Sequence, residues 1–161
     1  MDPNTSEAEL TLSDAERVAL AKRTPEQVFE DHLRLRAEGK LAADLVRNYD
    51  PSVRMTTNWG NFTGLEGVIK SATILGRNVP TRNYHFDSLI VHGDTAFEKW
   101  SAFGNGVQVK DGIDAFVFRD GKIVAQTIDY IPEHVSENRA QAEASAIAED
   151  KDWAERTGFK L

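Results

Sequence analysis

The stretch after Pro80 constrains the fold most. Four runs rich in aromatic and β-branched residues follow one another there: 83–91 (NYHFDSLIV), 95–103 (TAFEKWSAF), 107–118 (VQVKDGIDAFVF) and 123–131 (IVAQTIDYI). They are separated only by His92-Gly93-Asp94, Gly104-Asn105-Gly106 and Asp120-Gly121. Asn-Gly and Asp-Gly favour tight hairpin turns because both positions tolerate positive φ, so the runs predict an antiparallel meander.

Upstream, the signals are helical. Ser13 to Glu16, Thr24 to Gln27 and Thr63 to Glu66 each read as a capping box, opening helices that run to about Arg23, Glu38 and Leu75. Pro25 takes the favoured first helical position and Gly39 is placed to end that helix. Residues 41–49 (LAADLVRNY) form a further helix stopped by Asp50-Pro51, and Val53 to Asn58 reads as extended. Helices followed by strands indicate an α+β fold with the helices on one face of a curved sheet. Residues 133–161 are alanine- and charge-rich with few large apolar side chains, which predicts a C-terminal helix that docks weakly or on a partner subunit.

Composition narrows the function classes. A chain of 161 residues can bury the core of one domain without a staple. It has no cysteine, which excludes disulfides, thiolate zinc sites and a cysteine nucleophile, and fits a cytoplasmic location. With 26 acidic against 19 basic residues and no basic block, nucleic acid is not the expected partner. No membrane span or leader is read from the sequence. His32, His85, His92 and His134 are dispersed, so no metal site is expected. There is no phosphate-cradling glycine loop and no Ser-His-Asp signature, and no cofactor is expected.

"GLEGVIK", "VHGDTAFEKWSAFG" and above all "GIDAFVFRDGKIVAQTIDY", set in this order of helices and strands, resemble the SnoaL-like branch of the nuclear transport factor two-like superfamily. The resemblance covers about Pro25 to Pro132. It implies a cone, a bent antiparallel sheet wrapped around the N-terminal helices with an apolar pocket inside. Residues 1–24 would then be an N-terminal extension with a short helix, 25–132 the cone domain, and 133–161 a helical extension. The superfamily includes polyketide cyclases, steroid isomerases, limonene epoxide hydrolases and dehydratases, and also plain scaffolds, so fold alone does not name a reaction.

Candidate site residues follow from phase. The resemblance turns Asp114, Phe116 and Phe118 toward the pocket and Ile113, Ala115 and Val117 away. A carboxyl on an apolar wall suits proton transfer; the alternative is a structural tie accepting bonds from a helix end. Val28, Phe29, His32, Leu35 and Arg36 share one side of their helix, so His32 could face Asp114 as an acid/base partner, or could be satisfied by a backbone carbonyl. Tyr84 and Phe86 would face inward, Tyr84 as a neutral donor to a substrate oxygen or as an ordinary core tyrosine, with His85 facing away.

Alternation leaves the inward face of 95–103 open, between Glu98 with Trp100 and Phe97 with Lys99. Trp59 is expected as a wall or lid of the pocket, or as an interface tryptophan, with Asn58 a polar contact. Asp129-Tyr130 resembles a last aspartate motif displaced by one residue, so a strict strand turns Asp129 the wrong way unless a bulge restores it. Glu98-Lys99-Trp100 lacks the arginine and aspartate of the epoxide hydrolase arrangement.

The expected function is therefore a cofactor-independent isomerase, cyclase or dehydratase. Asp114, His32 and Tyr84 would be catalytic, and Trp59, Asn58, Phe86, Trp100, Phe116 and Asp129 would contact a small, largely apolar or aromatic molecule. The alternative is a non-catalytic binding or assembly module. A homodimer is expected through the apolar outer face of the sheet.

Overall fold

The computed structural model describes residues 11–136. Helices α1 (Asp14–Ala21), α2 (Pro25–Ala37) and α3 (Leu41–Asn48) lead into strands β1 (Tyr49–Thr57) and β2 (Gly60–Thr63). Helix α4 (Gly64–Asn78) precedes β3 (Tyr84–His92), β4 (Thr95–Gly104), β5 (Val107–Arg119), β6 (Lys122–Asp129) and the short β7 (Glu133–His134). One sheet runs β2-β1-β6-β5-β4-β3, with β7 added to β5.

Two of the three capping boxes form. Ser13 Oγ accepts from the Glu16 amide and the Glu16 carboxylate accepts from the Ser13 amide, and Thr24 and Gln27 exchange the same pair of bonds. Thr63 makes no such bond. It is already a strand residue, paired with Arg54, and left-handed Gly64 carries the turn into α4. The meander turns follow their expected chemistry: Asn105 and Gly106 have φ of 51° and 75°, and Asp120 and Gly121 have 50° and 70°.

Three points differ from the sequence expectation. Residues 60–63, not expected as a strand, form β2. The sheet is mixed rather than purely antiparallel, because β1 arrives from α3 and lies parallel to β6. Glu133 and His134, expected to begin a helix, pair with Gln108 and Val107; the rest of the expected C-terminal helix lies outside the described residues.

Register shifts at Phe86/Ser88 in β3, Trp100/Ala102 in β4 and Val117/Phe118 in the β5–β6 pairing mark bulges, which increase twist and bend the sheet. Helix α2 packs into the resulting concavity against β4 and β6. Its Phe29 and Leu33 are buried, with the Phe29 ring 5.2 Å from that of Phe116.

The N-terminal extension is tied to this body through polar contacts. Arg23 donates to Asn48 Oδ1 at 2.8 Å and to the carbonyls of Arg47 and Gly121 at 2.7 and 3.0 Å. Lys122 donates to the carbonyls of Val46 and Arg47, so two cations satisfy the end of α3 where the helix leaves its carbonyls free.

Candidate functional site

Asp114 faces inward, as the alternation of β5 requires. It is buried with Phe116 and Phe118, while Ile113, Ala115 and Val117 are partly exposed on the other face. Two side chains hold it: Trp100 Nε1 donates to Oδ1 at 2.9 Å and Gln126 Nε2 to Oδ2 at 2.8 Å. Gln126 Oε1 in turn accepts from the Tyr49 hydroxyl at 2.7 Å. Burial raises the Asp114 pKa above the usual aspartate value, and these two donors oppose that rise. The ties come from side chains on β4 and β6, not from the helix end anticipated as the structural alternative.

The undecided face of β4 is settled by register. Glu98 and Trp100 point inward and are buried, and Glu98 stands directly opposite Asp114. Burial, then the nearby charge of Asp114, raises the Glu98 pKa well above the usual glutamate range. Among the described residues Glu98 has no donor comparable to those on Asp114, and its Oε2 is buried without a hydrogen-bond partner. A buried carboxylate in that state would carry a large uncompensated desolvation cost, so of the two groups Glu98 holds the proton. Glu98 is absent from the site residues expected on sequence. The available signal is an acidic residue in phase with an inward tryptophan, and only strand register resolves it.

His32 does not pair with Asp114. Its Nδ1 lies 3.0 and 3.1 Å from the two carboxylate oxygens of Asp44, a fully buried residue that also accepts from Asn48 Nδ2 at 2.9 Å. The ring packs edge-on against Phe116 and Tyr49 at 5.2 and 5.7 Å between centroids. The α2–α3 turn brings Asp44 over the histidine, and that nearer acid takes the ring nitrogen. His32 is thus an oriented core residue, and its partner is a carboxylate rather than a backbone carbonyl.

Aromatic rings connect Asp114 to the surface. Trp100 packs against Tyr84 at 5.4 Å and against Tyr130 at 5.8 Å, and Tyr130 packs against Trp59, also at 5.8 Å. Trp59, at the β1–β2 turn, is 46% exposed and forms the outer end of this stack. Asn58 is exposed, and its amide donates to the Tyr130 carbonyl at 2.7 Å. Tyr84 and Phe86 are half-buried and pack against the core. Burial pushes the Tyr84 pKa up to about 12, so its hydroxyl is neutral at ordinary pH. The Trp100 indole lies so close to Gly112 that a Cβ there would fall 2.3 Å from the ring.

Asp129 is exposed on the outer face, which corrects its expected role as a ligand contact. The bulge in the β5–β6 pairing turns Gln126, Ile128 and Tyr130 inward instead. The resemblance implies an open interior pocket, yet two cavities among the described residues lie elsewhere. One, of about 320 Å³, is a groove on the outer face lined by Ile90, Phe97, Ala115, Val117 and Thr127 among others. The second, of about 370 Å³, lies among Arg23, Asp31, Arg34 and Arg47 on the helices. Neither is lined by Asp114. Among the described residues no group of three or more His, Cys, Asp or Glu is placed to hold a metal ion, and no helix is long and apolar enough to cross a membrane.

The fold recurs among solved structures. An NTF-2 like protein of unknown function from Burkholderia xenovorans LB400 is 18% identical with a TM-score of 0.55, over 73% of this chain and 91% of that one. A de novo designed protein with curved beta-sheet is 19% identical with a TM-score of 0.54, over 85% and 98%. TerC, co-crystallized with polyporic acid, is 14% identical with a TM-score of 0.54, over 75% and 98%. At these identities the likeness shows the cone fold alone. No protein with a curated description matches the chain. The pattern of the SnoaL-like domain matches residues 29–126, more than half of the chain and all of the buried acid pair. With that match the chain belongs to the SnoaL-like domain family.

Proposed function

We propose that this protein is a cofactor-independent acid/base catalyst of the isomerase, cyclase or dehydratase type, acting on a small, largely apolar carbonyl or hydroxyl compound held against Asp114. The observation that carries this reading is the Asp114–Glu98 pair. Two opposed buried carboxyls, one with two donors and one with none, divide into a base and an acid within one site. For an enolisable ketone, an Asp114 oxygen takes the α-proton and the C–H electron pair moves to the carbonyl oxygen. Neutral Tyr84 or protonated Glu98 donates a hydrogen bond to that oxygen, and Asp114 returns the proton to carbon. Trp59, Phe86, Trp100 and Phe116 would form the walls, with Asn58 at the rim. His32, held by Asp44, would orient the core beside them.

A second reading is favoured by one observation: neither of the two cavities described above is lined by Asp114. A module that serves assembly needs no cavity at the acid pair. Among the similar folds, one is a de novo designed protein with curved beta-sheet and another, TerC, was co-crystallized with polyporic acid.

Exchange of α-protons separates the readings whatever the natural substrate. Small cyclic ketones are incubated with the protein in D₂O and deuterium uptake is followed by NMR. The catalytic reading expects uptake above the buffer rate, falling roughly 100-fold or more in Asp114→Asn. Uptake equal in the wild type and Asp114→Asn leaves only the module.

A further inference from the structure

Arg36 stands apart from the other arginines near the helices. Arg23, Arg34 and Arg47 all bind the carboxylate of Asp31, at 3.2, 2.7 and 2.9 Å. Arg36 lies one helical turn beyond His32 on α2, half-buried, and its guanidinium makes no hydrogen bond or ion pair among the described residues. It continues the face of α2 on which Phe29 and His32 pack against Phe116, two residues from Asp114 on β5, and from there its charge acts on Tyr84, Glu98 and Asp114.

A second group there is also incomplete. Glu98 is 5% exposed, and its Oε2 has no hydrogen-bond partner. A guanidinium without a partner among the described residues and a buried carboxyl with an unpaired oxygen both leave hydrogen-bonding capacity unused, and at the buried carboxyl that is costly unless a ligand completes it.

We propose that Arg36 and Glu98 together receive a carboxylate carried by the ligand, so that the substrate class is a small apolar or aromatic carboxylic acid. One carboxylate oxygen takes the guanidinium N–H groups and the other accepts the Glu98 O–H. A phosphate does not fit this arrangement. Its charge of nearly two would meet a single cation, with the Asp114 carboxylate across the same strand pair. Tyr84, half-buried between the surface and Trp100, is then the side chain that the body of the acid displaces or stacks upon.

This inference rests on the reading of the cone interior as a small-molecule site, and its test is one of binding, independent of turnover. The probes are 3-phenylpropanoate and its neutral analogue 3-phenylpropanamide. The signal is the NMR resonance of the Trp100 indole N–H, which sits on Asp114 at 2.9 Å.

The acid is expected to shift that resonance with saturation and to bind more tightly than the amide. Arg36→Met, which keeps the apolar stem, should weaken the acid by roughly tenfold or more and leave the amide unchanged. Unchanged amide binding shows that Arg36→Met is folded, and Glu98→Leu, which keeps the volume but removes the donor, should likewise weaken the acid and leave the amide unchanged. Equal binding of acid and amide, equal weakening of both by Arg36→Met, or no shift with the acid would overturn the proposal. If acid and amide bind alike while α-proton exchange persists, only this inference fails. If the acid binds through Arg36 while no ketone exchanges, the site stands and the proposed reaction falls.

Discussion

Glu98 and Asp114 face each other across neighbouring antiparallel strands, both buried, and of the two, among the described residues, only Asp114 is supplied with side-chain hydrogen-bond donors. Two carboxyls so placed cannot both ionise cheaply, and the uneven supply of donors decides which one carries the charge. The stability and chemistry of the interior both turn on this asymmetry.

Asp114 variants should divide by hydrogen-bond capacity. In Asp114→Asn, Oδ1 still accepts from Trp100, and the Gln126 amide can flip because the Tyr49 hydroxyl can either donate or accept. The fold is therefore expected to survive with a small fall in Tm. Asp114→Ala leaves the Trp100 and Gln126 donors unpaired, for a loss of about 2–5 kcal/mol. Thermal unfolding of both variants measures the difference; equal losses would show that the two donors contribute nothing.

Stability should fall with rising pH through this pair. The folded pKa of Glu98 lies well above its ordinary 4.5, so above that value the folded chain holds a proton that the unfolded chain releases. The contribution is fully present below the unfolded pKa and is lost as pH rises toward the folded one; Asp114, raised from 3.8, adds in the same sense. Glu98→Gln imitates the protonated group and removes its share of the dependence. The variant should be more stable than the wild type at about pH 8, with the advantage shrinking by about pH 5. Parallel Tm–pH curves for the two proteins would refute a buried neutral Glu98.

Gly112→Ala should act through Trp100. The added methyl falls 2.3 Å from the indole, inside any van der Waals contact, so the ring must move and its bond to Asp114 is lost. Overpacking together with a broken hydrogen bond costs about 2–4 kcal/mol. A Tm within a degree or so of the wild type, with the Trp100 indole resonance unmoved, would show that the ring has room to spare.

The outer face predicts self-association. Ile90 and Phe97 are 57% and 37% exposed beside the 320 Å³ groove, an apolar surface that monomers seldom leave in water. Sedimentation at micromolar concentration should give more than the 17.9 kDa of one chain, and Phe97→Glu should shift it toward the monomer. A wild type sedimenting as a monomer would leave this face without a self-partner.

Local chemistry wrote much of this fold into the sequence. Two capping boxes formed where Ser13 and Thr24 announced them, the Asn105-Gly106 and Asp120-Gly121 turns took the positive φ their residues tolerate, and alternation set Asp114 on one face with Phe116 and Phe118, which the family resemblance turned inward. Each of these depends on residues within a few positions of one another. What depends on distant residues was decided only by the tertiary structure. His32 took Asp44 because the α2–α3 turn brought that acid nearer, and Thr63 did not cap α4 because pairing with Arg54 had already made it a strand residue. Glu98 became the partner of Asp114 through strand register, and a bulge in β6 turned Asp129 outward and Gln126 in. A one-residue slip in pairing exchanges the two faces of a strand, and no local pattern records where a bulge will place that slip.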